Sequence, residues 1–310
     1  MPVRPFRFGY VARTITPGES WAEKARRVEA LGYSIFLMPD HFRNQLATVP
    51  ALTAAALATS RLRVGSLVFA NDFRHPAVLA KEAATIDLLS AGRFELGLGA
   101  GWMRSEYEEA GIRFDEPVVR VGRLTEAIVI IRRLLAGERV THVGRHYALA
   151  GLEGRPGPTQ RPHPPILIGG GGQRTLTLAA REASIVGFVP RARRDGSGLE
   201  LDDLAAPALI RKIGWVQEAA GDRFGSLELN ALVQVARVTD DPAVAADGLT
   251  TRFRASRETV LASPYVLLGS IGQICETLYE RRERYGISYL SILEDDADAL
   301  APVVARLAGT

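Results

Sequence analysis

Short apolar runs alternate with longer amphipathic stretches along the whole chain, the pattern of repeated βα units built around a parallel sheet. The β-branched and apolar runs predict strands at 6–12, 34–39, 62–70, 94–98, 166–168, 185–189, 227–238 and 289–293. Between and after them, apolar positions at helical spacing predict helices at 20–31, 50–59, 76–89, 117–135, 173–182, 204–220 and 271–285. Ser270 followed by Gln273 reads as a capping box opening the last helix. Pro76 suits a first helical turn, where its missing N–H would be unpaired anyway. Eight strands with intervening helices in 310 residues predict a closed (β/α)8 TIM barrel rather than an open doubly wound sheet. The stretch RVTHVGRHYA at 139–148 reads as a hairpin turning at Gly144, and the Gly/Pro-rich 151–165 as a long connection. The expected organisation is one barrel domain over 1–310, with insertions near 137–165, after the fourth helix, and near 191–204.

Composition narrows the function classes. With 38 basic against 35 acidic residues the net charge is only +3, so there is no basic footprint for nucleic acid. The cluster RARR at 191–194 reads as a solvated loop, with contact to an acidic ligand tail as the second reading. A single cysteine, Cys275, excludes a disulfide framework and points to a reducing compartment. Its place in an apolar-periodic segment predicts a buried thiol rather than a nucleophile. The N-terminus has no apolar core of signal-peptide length, and no apolar run reaches the ~18 residues of a spanning helix. A cytoplasmic protein is expected. His142 and His146 lie four apart on a hairpin, a spacing that would co-ligate a metal on a helix but not here, so no metal is expected.

Two strand-to-helix corners carry the candidate chemistry. RFELGLGAGW at 93–102 runs a β-type segment into Gly97, Gly99 and Gly101, and PPILIGGGGQRT at 164–175 runs another into four glycines followed by Gln173, Arg174 and Thr175. Such corners let main-chain N–H groups meet a phosphate or a flat ring, although tight turns also need glycine without any ligand. Two of them suggest one extended ligand spanning two strand ends. The second strand ends in Met38, Pro39, Asp40, His41 and Phe42. A histidine beside an aspartate at that place can exchange protons near neutral pH, or Asp40 can cap a turn with His41 packed against it. His75 and Pro76 read as a helix start. Trp102 is large enough to wall a flat ligand or to cover the barrel mouth.

On PDHF at 39–42, FRHPAVLAKEAATIDLLSAGRFELGLGAGW at 73–102, PPILIGGGG at 164–172 and YVLLGS at 265–270, in that order and spacing, the chain resembles the luciferase-like monooxygenase superfamily. Within it, the likeness is to the branch of oxidoreductases that use the deazaflavin coenzyme F420. The resemblance implies a bacterial luciferase-like (β/α)8 barrel with an insertion after the fourth helix. It implies catalytic roles at His41 and Asp40, with the histidine transferring protons at the deazaflavin face. It also implies a bulge with a non-proline cis peptide between Ser66 and Leu67, pressed against the ring. Gly99, Ala100, Gly101, Trp102 and Ser105 would line the ring and ribityl chain. Gly169, Gly170, Gly171, Gly172, Arg174 and Thr175 would receive the phosphate. Where F420-dependent glucose-6-phosphate dehydrogenases have a glutamate after the last glycine of the first corner, this chain has Trp102, which argues against sugar-phosphate oxidation and for a more apolar pocket.

The leading expectation is therefore an F420-dependent oxidoreductase moving a hydride between the deazaflavin and a small organic substrate. An FMN-dependent monooxygenase of the same superfamily, using reduced flavin and oxygen, is the first alternative. A non-catalytic cofactor-binding barrel is the second. A Rossmann dehydrogenase fits less well, because Asp115 and Glu116 do not end a second strand. The partner expected is a small molecule, with no nucleic acid or membrane and with a homodimer as the oligomeric option.

Overall fold

The structure is a computed structural model that describes residues 4–310. Its barrel strands are β1 (Arg7–Val11), β2 (Ile35–Met38), β3 (Arg63–Ser66) continued by β4 (Phe69–Ala70), and β5 (Phe94–Gly99). A hairpin of β6 (Arg139–Val143) and β7 (Ala148–Glu153) follows, and then β8 (Ile166–Gly170), β9 (Ile185–Phe188), β10 (Glu228–Val233), β11 (Val235–Val238), β12 (Val266–Gly269) and β13 (Ile287–Leu293). The parallel order β3-β2-β1-β13-β10-β9-β8-β5 is closed by pairing of β3 with β5. All eight predicted strands are in this barrel, and the sheet is the closed one expected.

Period-two alternation builds the barrel. Val11, Ile35, Leu37, Leu67, Leu167, Ile185 and Tyr289 form the luminal cluster, while Phe8, Tyr10, Phe36, Met38, Ile166 and Ile168 belong to the outer core packed under the helices. The N-terminal mouth is closed by charge. Arg7 binds Glu95 at 2.5 Å and Glu228 at 2.6 Å, and Arg63 binds Glu95 at 2.6 Å. The Arg7 guanidinium also lies 4.5 Å from the centre of the Tyr289 ring. Nothing in the hydrophobic pattern announces this plug, because its members stand at strand starts that read as polar edges.

The helices 76–89, 117–135, 173–182 and 271–285 have the predicted bounds. The Ser270–Gln273 capping box is present, and His75 caps its helix by accepting from the Ala77 N–H at 3.2 Å. The predicted strand 227–238 is two elements. Its second half leaves the barrel and pairs with β12. The segments 242–253, 257–261 and 301–307 are helices that the sequence reading left out.

Two features outside the barrel bear on the site. The hairpin turns at Gly144, and Glu126 ties it to the helix Pro117–Leu135 by accepting from His142 Nε2 at 2.9 Å, His146 N at 3.0 Å and Tyr147 N at 2.9 Å. His142 is thus a hairpin anchor. The segment 191–204 is pinned by the Asp203 carboxylate, which accepts from Arg191 N at 2.6 Å and pairs with the fully buried Lys212.

Candidate active site

The ends of β2, β4, β5 and β8 meet at the C-terminal mouth, where barrel enzymes place their chemistry. Ser66, Leu67 and Val68 stand opposite only Leu96 and Gly97, since Gly65 pairs with Glu95 and Phe69 with Leu98. This is the expected bulge. The cis peptide within it joins Leu67 to Val68, one residue later than predicted, because Ser66 is still part of β3. Ser66 is buried and bridges the gap by accepting from Gly97 N at 3.0 Å and donating to Gly97 O at 2.8 Å. Its hydroxyl is committed to the barrel wall. Leu67 and Val68 are the residues the bulge presents to the luminal cluster.

The glycines of the corners divide by what surrounds them. A side chain at Gly97 would overlap the Ser66 carbonyl, at Gly99 it would meet Val68 Cγ2 at 2.5 Å, and at Gly169 it would meet Val68 Cγ1 at 3.1 Å. These three make room for the bulge. Gly170 accommodates Thr175 at 2.6 Å, and Gly171 accommodates the Arg191 backbone at 2.5 Å. Gly172 alone in this run faces open space. It is the N-cap of the helix Gln173–Glu182, which has no side-chain cap and no acid in its first turn. Arg174 is exposed and Thr175 half-buried beside it.

His41 lies just past β2, and its neighbour Asp40 is a brace. The Asp40 carboxylate accepts from Arg74 at 2.7 and 3.1 Å, from Ala70 N at 3.1 Å and from Thr48 Oγ1 at 3.0 Å. It ties the end of β2 to the end of β4. The partner of His41 is Glu106, whose Oε2 lies 2.7 Å from His41 Nδ1. Glu106 is 2 % exposed, on the short helix Arg104–Glu109, and its Oε1 has no hydrogen-bond partner. Arg43 approaches that oxygen at 3.6 Å. The Trp102 ring meets His41 edge-on, 6.1 Å between centroids. Sequence reasoning missed Glu106; the available signal was an acid one helical turn past the Trp102 corner.

Beneath the corner, Tyr107, Phe114, Arg120 and Asp72 form a packed layer. Tyr107 donates to Asp72 at 3.3 Å and packs edge-on against Phe114, 5.0 Å away. Burial pushes the Asp72 carboxyl above the usual carboxylate range, opposed by Arg123 at 3.0 Å. Beyond the corner, a cavity of about 420 Å³ is lined by Arg43, Trp102, Met103, Ser105, Asp195 and Ser197 among others. Ser105 accepts from Arg43 at 3.3 Å. The segment 191–204 forms the far wall, latched by Arg104, which donates to Asp195 O at 2.7 Å and Gly196 O at 3.4 Å. Of the arginines considered for an acidic tail, Arg191 pairs with Glu200 and Arg194 pairs with Glu116 at 2.9 Å; Arg193 is exposed.

The chain is thus a parallel eight-stranded barrel with a bulged third strand and a histidine–glutamate pair at its C-terminal mouth. Residues 7–253 match the family described as luciferase-like monooxygenase, and the chain belongs to that family. It is 32% identical to an F420-dependent glucose-6-phosphate dehydrogenase of Nakamurella multipartita (strain ATCC 700099), over 81% of this chain and 73% of the relative. To the enzyme of that name from Microbacterium testaceum (strain StLB037) it is 32% identical over 62% of this chain, spanning 58% of the relative's length. The coenzyme F420 dependent tetrahydromethanopterin reductase from Methanopyrus kandleri has the same fold, with a TM-score of 0.75 at 17% identity, over 98% of this chain and 99% of the other.

Proposed function

We propose that this chain is an F420-dependent oxidoreductase that transfers a hydride between the deazaflavin and a small organic substrate. The observation that carries the reading is the His41–Glu106 pair at the barrel mouth, in a chain whose curated relatives include F420-dependent dehydrogenases. The residues fit the coenzyme in two places. The uncapped helix start at Gly172 faces open space and suits a phosphate, and the apolar bulge of Leu67 and Val68 suits a flat ring. When bound, the deazaflavin supplies a hydride-carrying carbon where a flavin has its oxygen-reactive nitrogen.

The chain's own residues handle the proton. With Nδ1 held by Glu106, His41 has Nε2 left to give a proton to the substrate or take one from it. The buried carboxylate also stabilises the imidazolium that forms when Nε2 accepts a proton. Asp40 serves this site by fixing the β2 end and not by exchanging protons. Ala100, Gly101 and Trp102 would line the ring side and Gly172 with Arg174 the phosphate side, with Gly99 and Gly169–Gly171 packed as support behind them. Arg174, exposed beside that helix start, would meet the acidic coenzyme tail.

The substrate would sit in the cavity walled by Trp102 and Met103 and rimmed by Arg43, Ser105 and Asp195. Sugar phosphate, the substrate named for the relatives, is disfavoured here by Trp102, which stands where those enzymes have a glutamate. Among the described residues no helix is long and apolar enough to cross a membrane. A cytoplasmic enzyme acting on a small molecule, without nucleic acid and with a homodimer as its assembly, completes the reading. The test is turnover in strictly anaerobic buffer with F420 as the only redox partner. Product formed without oxygen, and carrying no label from isotopic oxygen when oxygen is present, is expected. A reaction that stops without oxygen and incorporates the label would assign the chain to FMN-dependent monooxygenation.

A further inference from the structure

Arg120 is a buried cation that the chemistry above does not use. It lies in the helix Pro117–Leu135, is 5% exposed, and stacks over the Phe114 ring at 4.2 Å. Its guanidinium donates to three main-chain carbonyls, those of Asp115 at 3.0 Å, Ala100 at 3.3 Å and Gly101. Tyr107 braces the same place. Its hydroxyl stands where a side chain at Gly101 would begin, and Gly101 has φ +75°, a conformation that suits glycine.

In a trans peptide the C=O and N–H point in opposite directions. Drawing the Ala100 and Gly101 carbonyls down to Arg120 therefore turns the N–H groups of Gly101 and Trp102 the other way, away from the helix layer. Neither N–H has an acceptor among the described residues, backbone or side chain. Both residues are only half-buried. Two adjacent, unpaired donors held by a buried guanidinium are an oxygen-binding site in form, because fixed donors need no reorganisation to meet an acceptor.

We propose that the Gly101 and Trp102 N–H groups form a two-donor subsite for an oxygen of the cofactor's ring or ribityl chain, and that Arg120 is the positioning residue that aims them. The proposal rests on the F420 reading. It places the ring or ribityl oxygen here and leaves the phosphate to the Gly172 helix start, so the two ends of one ligand are held by different corners. Nη1 of Arg120 takes both the Ala100 and Gly101 carbonyls while Nε takes Asp115 O; a lysine, with one nitrogen and no planar group to lie on Phe114, cannot hold all three carbonyls in that geometry.

The experiment titrates wild type, Arg120→Gln and Arg120→Lys with F420 and with its deazariboflavin fragment that lacks the phosphate, reading ring fluorescence and the thermal midpoint together. R120Q is expected to weaken both ligands by about tenfold or more, and R120K by a smaller factor, the loss of one or two charge-supported hydrogen bonds. At saturation, the R120Q complex is also expected to lose the wild-type shift in the ring spectrum, which a purely structural role would leave in place. Unchanged affinity for the phosphate-free fragment in R120Q overturns the proposal, as does a loss confined to the phosphate-bearing ligand. If R120Q does not fold, R120K decides, and wild-type affinity and spectrum in R120K overturn it. A wild-type chain that binds neither ligand overturns the F420 reading and the subsite with it. Wild-type binding with unaffected variants overturns the subsite alone.

Discussion

Glu106 Oε2 sits 2.7 Å from His41 Nδ1, so an acid from the helix after β5 orients a histidine from the end of β2. That contact crosses one barrel strand, β3 with its continuation β4, and joins residues 65 positions apart. Asp40, the sequence neighbour of His41, bonds instead to Arg74, Ala70 N and Thr48.

His41→Ala is expected to lower turnover by roughly 10² or more with cofactor affinity largely kept, the usual loss on removing a general acid–base group. Glu106→Gln is expected to cost about tenfold or more through a misplaced imidazole. The double variant should be little worse than H41A, because residues acting as one unit are non-additive. Steady-state rates at saturating F420 check this, and fully additive losses would separate Glu106 from His41.

Asp40 predicts a different signature. Its carboxylate is 8% exposed and carries four hydrogen bonds, two of them from Arg74. Asp40→Ala leaves that guanidinium with only Glu82, 3.8 Å away, and is expected to destabilise the fold by about 2–4 kcal/mol. A large fall in the thermal midpoint, with turnover per folded molecule near wild type, is the expected result. Loss of turnover at unchanged stability would return Asp40 to the chemistry.

The glycines should separate in the same way. Gly97→Ala drives a Cβ into the Ser66 carbonyl, which cannot move without breaking the β3–β5 strap, so poor folding is expected. Gly172→Ala meets nothing within 4 Å and needs only φ −97° and ψ 151°, an ordinary extended backbone. It should fold normally and weaken F420 by several-fold, with a smaller effect on the phosphate-free fragment. Equal effects on both ligands would move the phosphate elsewhere.

Cys275 is 9% exposed, and burial raises its thiol above the ordinary range. A raised value means less thiolate at any given pH, so labelling by a thiol reagent in the native state should be slow at pH 8 and quicken as pH rises. Denaturant should restore the rate of a free thiol. Rapid native labelling at pH 8 would contradict the burial.

The barrel was legible because each of its strands carries its own period-two pattern and each corner its own glycines. The candidate site was legible only where its parts are neighbours in sequence. His41, Trp102 and the Gly172 corner stand in local motifs, whereas Glu106 and Arg120 meet their partners across the fold, at distances in sequence that no spacing announces. The bond between Asp40 and Arg74 is hidden for the same reason, since the two lie 34 positions apart. The cis bond was expected one residue early because the sequence alone does not reveal that Ser66 completes β3. The purpose of Gly97, Gly99 and Gly169 was also hidden, as the Ser66–Val68 bulge they accommodate exists only once the strands are side by side.

The most direct measurement is titration of the purified apo-protein with F420 and FMN side by side, with ring fluorescence as the readout. Stoichiometric binding of F420, tighter than that of FMN and weakened by salt where the acidic tail meets Arg174, is the predicted result. Tight stoichiometric binding of FMN with no measurable binding of F420 would contradict the account.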